Sequence, residues 1–530
     1  MKAYLMYPER DFDAEQHFPP GVEALTQDLE LNTLLNAMAG GDSLLFEVAS
    51  KALLCGMTDP AAITYRQQVL RDCLAQPAVV REIYAIAVQA VAEEKRIWWG
   101  IGSRYPSAIL NRAVNVMNLF VAALKRLRDL ADCHAPDFSS DGFTRFFAMI
   151  GAELGDDYFA LVADHLKRLK FRDGVLVSAR LGEGNTGTGY VLRRPRPTRR
   201  GLADLVPIGN RSAYTLTISD RDEAGARALA ELSDQGINHV ANALAQSADH
   251  ILSFFRLLRT ELAFYIGALN AHERLAAKGE PTCFPVPLPP AEAAFSAAGL
   301  YDPCLALTVS SKVTGNDISA DSKPLVMITG ANQGGKSTFL RSVGLAQLMM
   351  QSGMYVAATA LKASACQGLF THYKREEDAT MTSGKLDEEL ARMSDITGHI
   401  TPGSILLCNE SFASTNEREG SEIARQVVRA VLDAGIRVFF VTHLHDLARS
   451  FYTEPTAAAL FLRAERQPDG RRTYRLAVGE PLPTSHGEDV YQDVFAVLPM
   501  PHHPRRHMGA PETIPAPEAD RTRVQDPGSP

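Results

Sequence analysis

The sequence predicts a multidomain chain, a mostly α-helical N-terminal region followed by an α/β domain built on a parallel sheet, and three observations predict it. Over the first half, apolar residues recur at three and four places, the stripe of amphipathic helices. From residue 323 the texture changes to short, wholly apolar runs alternating with helical stripes, as strands buried on both faces with crossover helices would read. Between the first such run and the helix after it lies GANQGGKS, residues 330–337, which fits the phosphate-gripping pattern G-x-x-x-x-G-K-[ST].

A length of 530 residues allows two or more domains, each with its own core. A hydrophobic share of 46% with 22% charged residues is ordinary for a globular protein, and no stretch approaches the roughly 20 uninterrupted apolar residues of a membrane span. The start, MKAYLMYPERDFDAEQHF, places acids where an export signal would have its apolar core, so the expectation is a cytoplasmic protein without a membrane partner. Seven Cys, at 55, 73, 133, 283, 304, 366 and 408, include no C-x-x-C pair, which argues against a zinc site or a disulfide framework. A net charge of −8 excludes a surface that is basic throughout, but not a local patch that grips phosphates.

In chain order, residues 1–24 form an N-terminal segment and 25–280 a helical region. Its stripes run over 25–92, 115–130, 143–169 and a long stretch at 219–278. Inside it, LGEGNTGTGYVLRRPRPTRRGLADL is dense in Gly and holds five Arg between Arg193 and Arg200, so 181–205 reads as a flexible loop or hairpin. Either it is a solvated connection or its Arg cluster touches phosphates. The Pro-rich run EPTCFPVPLPP marks 281–322 as a linker and entry to the α/β domain at 323–497, and residues 498–530, rich in Pro and charge, read as a disordered tail.

The loop residues have chemical reasons to be there. Gly330, Gly334 and Gly335 let the backbone curl so that its N–H groups, with those of Ala331, Asn332, Gln333 and Thr338, can point at phosphate oxygens, and the helix that follows adds its positive end. Lys336 brings a compact cation for the β- and γ-phosphates, and the Ser337 hydroxyl can coordinate Mg²⁺. The expected ligands are therefore ATP and Mg²⁺. A second apolar strand, 405–408, ends in Asn409-Glu410, where an acidic pair would hold Mg²⁺ and orient the attacking water. Asn409 can reach the metal through a bound water but brings no charge, whereas Glu410 is the candidate to activate water; the bland alternative is that both cap the next helix. A third strand, 437–441, runs into Thr442-His443-Leu444-His445, where His443 can reach the γ-phosphate and His445 reads as structural.

These residues resemble the ATPase domain of the MutS family, relatives of the ABC and SMC ATPases. The family's loop reads like TGxNxxGKST and here is TGANQGGKST; QxGxYVPA is matched by QSGMYVAA, MDExGRGTSTxDG loosely by CNESFASTNEREG, and ATHxxEL by VTHLHDL. The resemblance implies an α/β P-loop NTPase domain of the ABC-ATPase type behind helical core, lever and clamp segments, with residues 29–95 in the core and 219–278 returning from the lever and clamp. It implies a homodimer in which each ATP site is completed by a partner Ser, with Ser383 as the candidate and Thr382 next to it, within the altered segment DATMTSGKLDEELARM. It also implies DNA binding in repair or recombination. Only about 25 residues precede the helical core, which leaves no room for the family's mismatch-reading and connector domains, so the expectation is a DNA-grasping ATPase without ordinary mismatch reading, slow if Asn409 weakens the metal site. The alternative is a nucleotide-switched scaffold that contacts protein and hydrolyses little; a small-molecule kinase fits poorly, because no acceptor-binding segment or lid is evident.

Overall fold

The computed structural model of the chain describes residues 1–98, 105–172, 174–194, 217–219, 221–375, 384–454, 458–467 and 472–482. The N-terminal region is a helical assembly: α1 (Val22–Asp28), α2 (Leu31–Ala39), α3 (Ser43–Leu54), α4 (Pro60–Ala75), α5 (Pro77–Trp98), α6 (Pro106–His134), α7 (Asp141–Glu153) and α8 (Asp156–Arg168). Local chemistry sets several starts. Asp42 accepts from the N–H groups of Leu44 and Leu45, Asp59 from those of Ala61 and Ala62, and Ser140 from that of Phe143; such caps are each worth about 1 kcal/mol.

The glycine-rich stretch forms a hairpin of β1 (Val177–Leu181) and β2 (Gly187–Leu192), followed by α9 (Glu223–Ala277), a single helix of 55 residues. At 1.5 Å per residue α9 is about 80 Å long. Its second half, including Phe254, Phe255, Leu258, Leu262 and Phe264, is buried, whereas none of its residues before Gly236 is. The hairpin rests on it there: a Cβ on Gly236 would come within 2.5 Å of a Val177 methyl, so only glycine allows the approach. Arg193 and Arg194 follow this hairpin, while 195–216, with the rest of the Arg cluster, lie outside the described residues, as does the Pro-rich tail at 498–530.

The residues after α9 correct one expectation. Segment 281–322, read as a linker, carries β3 (Val286–Leu288), β4 (Phe295–Leu300), α10 (Pro303–Thr308) and β5 (Asn316–Ser319). With β7 (Ala360–Ser364) these strands make a four-stranded sheet in the order β3-β7-β4-β5. The Pro that suggested a linker fits an edge strand, where a missing N–H costs no ladder bond, and β3 is at the edge.

The second sheet, six-stranded among the described residues, joins β6 (Leu325–Gly330), β8 (Leu369–Tyr373), β9 (Ile405–Asn409), β10 (Arg437–Val441), β11 (Ala459–Arg466) and β12 (Arg472–Val478) in the order β12-β11-β6-β10-β9-β8. All neighbours are parallel except β11 and β12. Four helices accompany it: α11 (Lys336–Gln351), α12 (Lys385–His399), α13 (Glu417–Asp433) and α14 (His445–Tyr452). Register places Gly330 beside Ala464, Ile328 beside Val441 and Val441 beside Asn409. The carboxyl ends of β6, β9 and β10 therefore share one edge, where open α/β sheets bind ligands.

One apolar core runs through both regions, and polar contacts seal the seam. The Met57 N–H donates to the Gln351 carbonyl at 2.8 Å, Arg66 donates to the Ser352 carbonyl at 2.9 Å, and the Tyr355 hydroxyl donates to the Ala268 carbonyl at 2.8 Å. The N-terminal segment is tied in as well: Glu261 of α9, wholly buried, accepts from the N–H groups of Leu5 at 2.7 Å and Phe12 at 3.1 Å. Burial pushes its carboxyl up from 4.5 to about 7, against those bonds. The native state thus holds a proton that the unfolded chain releases, and stability present below pH 4.5 is lost as pH rises through about 7. A thermal-unfolding series over this range is expected to show that loss, and Glu261→Gln to flatten it.

Candidate nucleotide site

At the carboxyl end of β6 the chain turns within residues 330–335 and enters α11 at Lys336. The turn needs glycine. Gly330 and Gly335 have φ of 108° and 86°, and a Cβ on Gly334 would come within 2.8 Å of the Ala331 carbonyl oxygen. Gln333 also has a positive φ, 58°, and the cradle closes with the Gly334 N–H donating to the Ala331 carbonyl at 3.2 Å. Lys336 is buried at 5% exposure, and its ammonium donates to the carbonyls of Gly330 at 2.9 Å and Ala331 at 3.0 Å. Burial lowers its pKa while the Glu410 carboxylate opposes the shift, and the ammonium has no ion-pair partner within 4 Å among the described residues. Such a group gains most from an anion that brings its own charge.

The second strand end faces this loop. The Ser337 hydroxyl donates to Asn409 Oδ1 at 2.9 Å, bringing together the two residues read as the Mg²⁺ side of the site. Both offer hard oxygen donors, which suit Mg²⁺ carried on phosphate oxygens and water. No cluster of three or more His, Cys, Asp or Glu is placed to hold a metal unaided among the described residues. The backbone turns sharply at Glu410, φ 53°, whose N–H donates to the Val441 carbonyl at 2.9 Å, and the third strand end supplies His443, with Nδ1 3.8 Å from Glu410 Oε2. His443 is the main reason that the Glu410 carboxyl lies below its usual range, with Lys336 and Lys374 adding to it against burial. Glu410 is thus a carboxylate at neutral pH, able to accept a proton from water.

Lys336, Ser337, Glu410 and His443 all line one cavity of about 720 Å³, with Asn332, Gln333, Gly334, Gly335 and Thr338. Volumes of roughly 300–1,000 Å³ are usual for small-ligand sites. Asn409 joins through its bond to Ser337, and Ala331 is buried beneath the loop. His445 is elsewhere: it opens α14, its N–H donating to Glu417 at 3.1 Å. Ser383 and Thr382 lie outside the described residues.

Two features at the site were not read from the sequence. Tyr474, with φ 58°, lines the cavity from β12, and a Cβ on Gly335 would lie 3.6 Å from its Cα. Asn316 of β5 holds it there, donating to the Tyr474 carbonyl at 3.1 Å and accepting from the Leu476 N–H at 2.7 Å. The only sequence signal was the alternation in RTYRLAV, which gives a strand and not its address. The second is Arg341, one turn beyond Ser337 on α11. It pairs with Asp302, wholly buried, and with Glu30 of the helical region. Asp302 also accepts from the N–H groups of Cys304 and Leu305 at the start of α10. Arg341→Ala leaves that carboxylate buried without its cation and is expected to cost about 3–5 kcal/mol in urea unfolding.

The geometry agrees with the comparisons with known proteins. Residues 58–278 match the MutS2 N-terminal domain, and residues 326–497 match MutS domain V. The chain belongs to the MutS family. The two MutS matches coincide with the two parts of the fold, the helical region and the parallel-sheet region that carries the site. Among relatives, the DNA mismatch repair protein MutS of Chloroflexus aurantiacus is 30% identical over 195 residues, 34% of this chain and 20% of that protein. DNA mismatch repair protein MutS 2 of Halobacterium salinarum is 27% identical over 225 residues, 42% of this chain and 26% of its own length. Probable DNA mismatch repair protein Msh6 of Drosophila melanogaster is 33% identical over 136 residues, 26% and 11% respectively. This MutS-family chain thus matches at most about a quarter of the length of these relatives.

Proposed function

We propose that this MutS-family chain binds ATP with Mg²⁺ in the cavity at the carboxyl ends of β6, β9 and β10 and hydrolyses it, using the cycle to move helices that grasp DNA. The observation that carries this reading is the convergence of Lys336, Ser337, Asn409, Glu410 and His443, from three separate strand ends, on one cavity.

In this reading the loop N–H groups of residues 331–338 and the Lys336 ammonium hold the β- and γ-phosphates, and Ser337 and Asn409 face the metal. Mg²⁺, when bound, offsets charge on the phosphate oxygens. Glu410 orients the attacking water and accepts its proton, while His443 keeps Glu410 ionised and can contact the γ-phosphate. Asn409 contributes no charge, so turnover is expected to be slow. Tyr474 is placed to stack on the base: Tyr474→Ala is expected to weaken ATP binding by about 1–2 kcal/mol, roughly tenfold, in a fluorescent-nucleotide titration.

The DNA part of the proposal rests on the projecting end of α9 and the adjoining hairpin, with Arg193 and Arg194 at its foot, and on the names of the relatives. A homodimer, with Ser383 of each copy completing the other's site, belongs to the same proposal. Phosphate release by the purified chain with duplex, branched and single-stranded DNA tests it: DNA-stimulated turnover is expected. Asn409 favours a second reading, a nucleotide-switched scaffold, which predicts binding without turnover and no response to DNA.

A further inference from the structure

The turn that carries Glu410 is held from behind by a buried histidine. His372, on β8 and 0% exposed, lies beside Cys408 in register, so its side chain sits against the residues that follow β9. Its Nδ1 is 2.7 Å from the Ser411 hydroxyl, which is also 2.7 Å from the His372 carbonyl oxygen, and its ring stacks on Phe412 at 5.4 Å between centroids and 24° between planes. Glu410 and Phe412, the residues on either side of Ser411, both have positive φ, 53° and 63°. Neither is glycine, so this left-handed geometry persists because its surroundings impose it.

The other edge of the ring points to a different element. Nε2 lies 2.9 Å from the main-chain oxygen of Glu389 on α12. A carbonyl only accepts, so Nε2 carries the proton. Burial, and then the nearby Arg392, push the imidazole down to about 4, so the ring is neutral, and its bare Nδ1 and the His372 carbonyl oxygen share the one proton of the Ser411 hydroxyl. A single ring thus bonds the turn after β9 with one nitrogen and the backbone of α12 with the other.

We propose that His372 is a positioning residue, which through Ser411 holds the Glu410 turn in its working geometry and ties that turn to α12. The inference rests on the ATPase reading for its kinetic consequence, but the tie itself does not require turnover. Neither His372 nor Ser411 lines the cavity, so nucleotide affinity should be spared.

The test uses the full chain with Ser411→Ala, His372→Gln and the double variant. Ser411→Ala removes one hydroxyl and opens no large void, so it guards against a His372 variant that fails to fold. With the bond lost, kcat is expected to fall by about ten- to a hundredfold while KM for ATP stays within about twofold, since misplacement of a reacting group by an ångström has effects of that size. The double variant is expected to lose no more than the worse single one, as partners in one interaction do. Amide hydrogen exchange gives the second readout: Mg-ATP is expected to alter protection in both 405–416 and 385–399 of the parent protein, and in 405–416 alone in the variants. Unchanged kcat in Ser411→Ala, losses that multiply in the double variant, or an α12 response that survives in all variants would each overturn the proposal. A parent protein that binds Mg-ATP without turnover would overturn the ATPase reading, and the exchange pattern would then decide the tie between the turn and α12 alone.

Discussion

Lys336→Ala is expected to weaken ATP binding by about two orders of magnitude or more. The ammonium is buried at the mouth of the sheet, where its hydrogen-bond partners among the described residues are the carbonyls of Gly330 and Ala331. Truncating one side of a buried charged contact costs about 2–5 kcal/mol, and each 1.4 kcal/mol is roughly tenfold in affinity. The free protein should tolerate the change well, because the lost bonds are to neutral acceptors within the same loop. Calorimetric titration of the variant and parent, with thermal unfolding to show equal folding, checks both halves of the expectation. Equal affinity would mean that the ammonium does not meet the phosphates.

Glu410→Gln separates binding from chemistry. The substitution keeps the shape of the side chain but removes a carboxylate that His443 and Lys336 keep ionised. Loss of a positioned general base usually costs about 10²–10⁴-fold in rate, so phosphate release should fall by at least about a hundredfold while the affinity for ATP changes little. The Gln side chain also removes a negative charge from the lining of the proposed phosphate site, so any change in affinity should be toward tighter binding. Unaltered turnover would remove Glu410 from the chemistry and return it to the bland role of a residue at a helix entrance.

Why the phosphate loop was legible and its surroundings were not follows from distance along the chain. Strand β6, the glycine turn and α11 are consecutive, so the pattern of apolar run, Gly at 330, 334 and 335, and helical stripe is complete within 27 residues. The second and third strand ends were legible for a topological reason: parallel strands in one sheet carry their carboxyl ends to one edge, so Asn409, Glu410 and His443 meet the loop although 72 to 106 residues separate Ser337 from them in the chain. Tyr474 and Asn316 had no such signal. Their meeting depends on β12 following β11 back across the sheet and on β5 from the other sheet reaching it. The same holds for Arg341 with Asp302 and Glu30, and for His372 with Ser411, where each partner is ordinary in its own segment and acquires meaning from a fold that brings distant segments together. The misread linker at 281–322 has a different cause. Its strands are three to six residues long, and Pro287 within the edge strand, with Pro285, Pro289 and Pro290 around it, hid that strand.

The most direct measurement is a calorimetric titration of the unaltered chain with ATP in the presence of Mg²⁺, repeated with chelator. Saturable binding of one nucleotide per chain is expected, competed by ADP and weakened when the metal is withdrawn. Heats that show no saturable binding up to millimolar ATP, with the protein folded throughout, would contradict it.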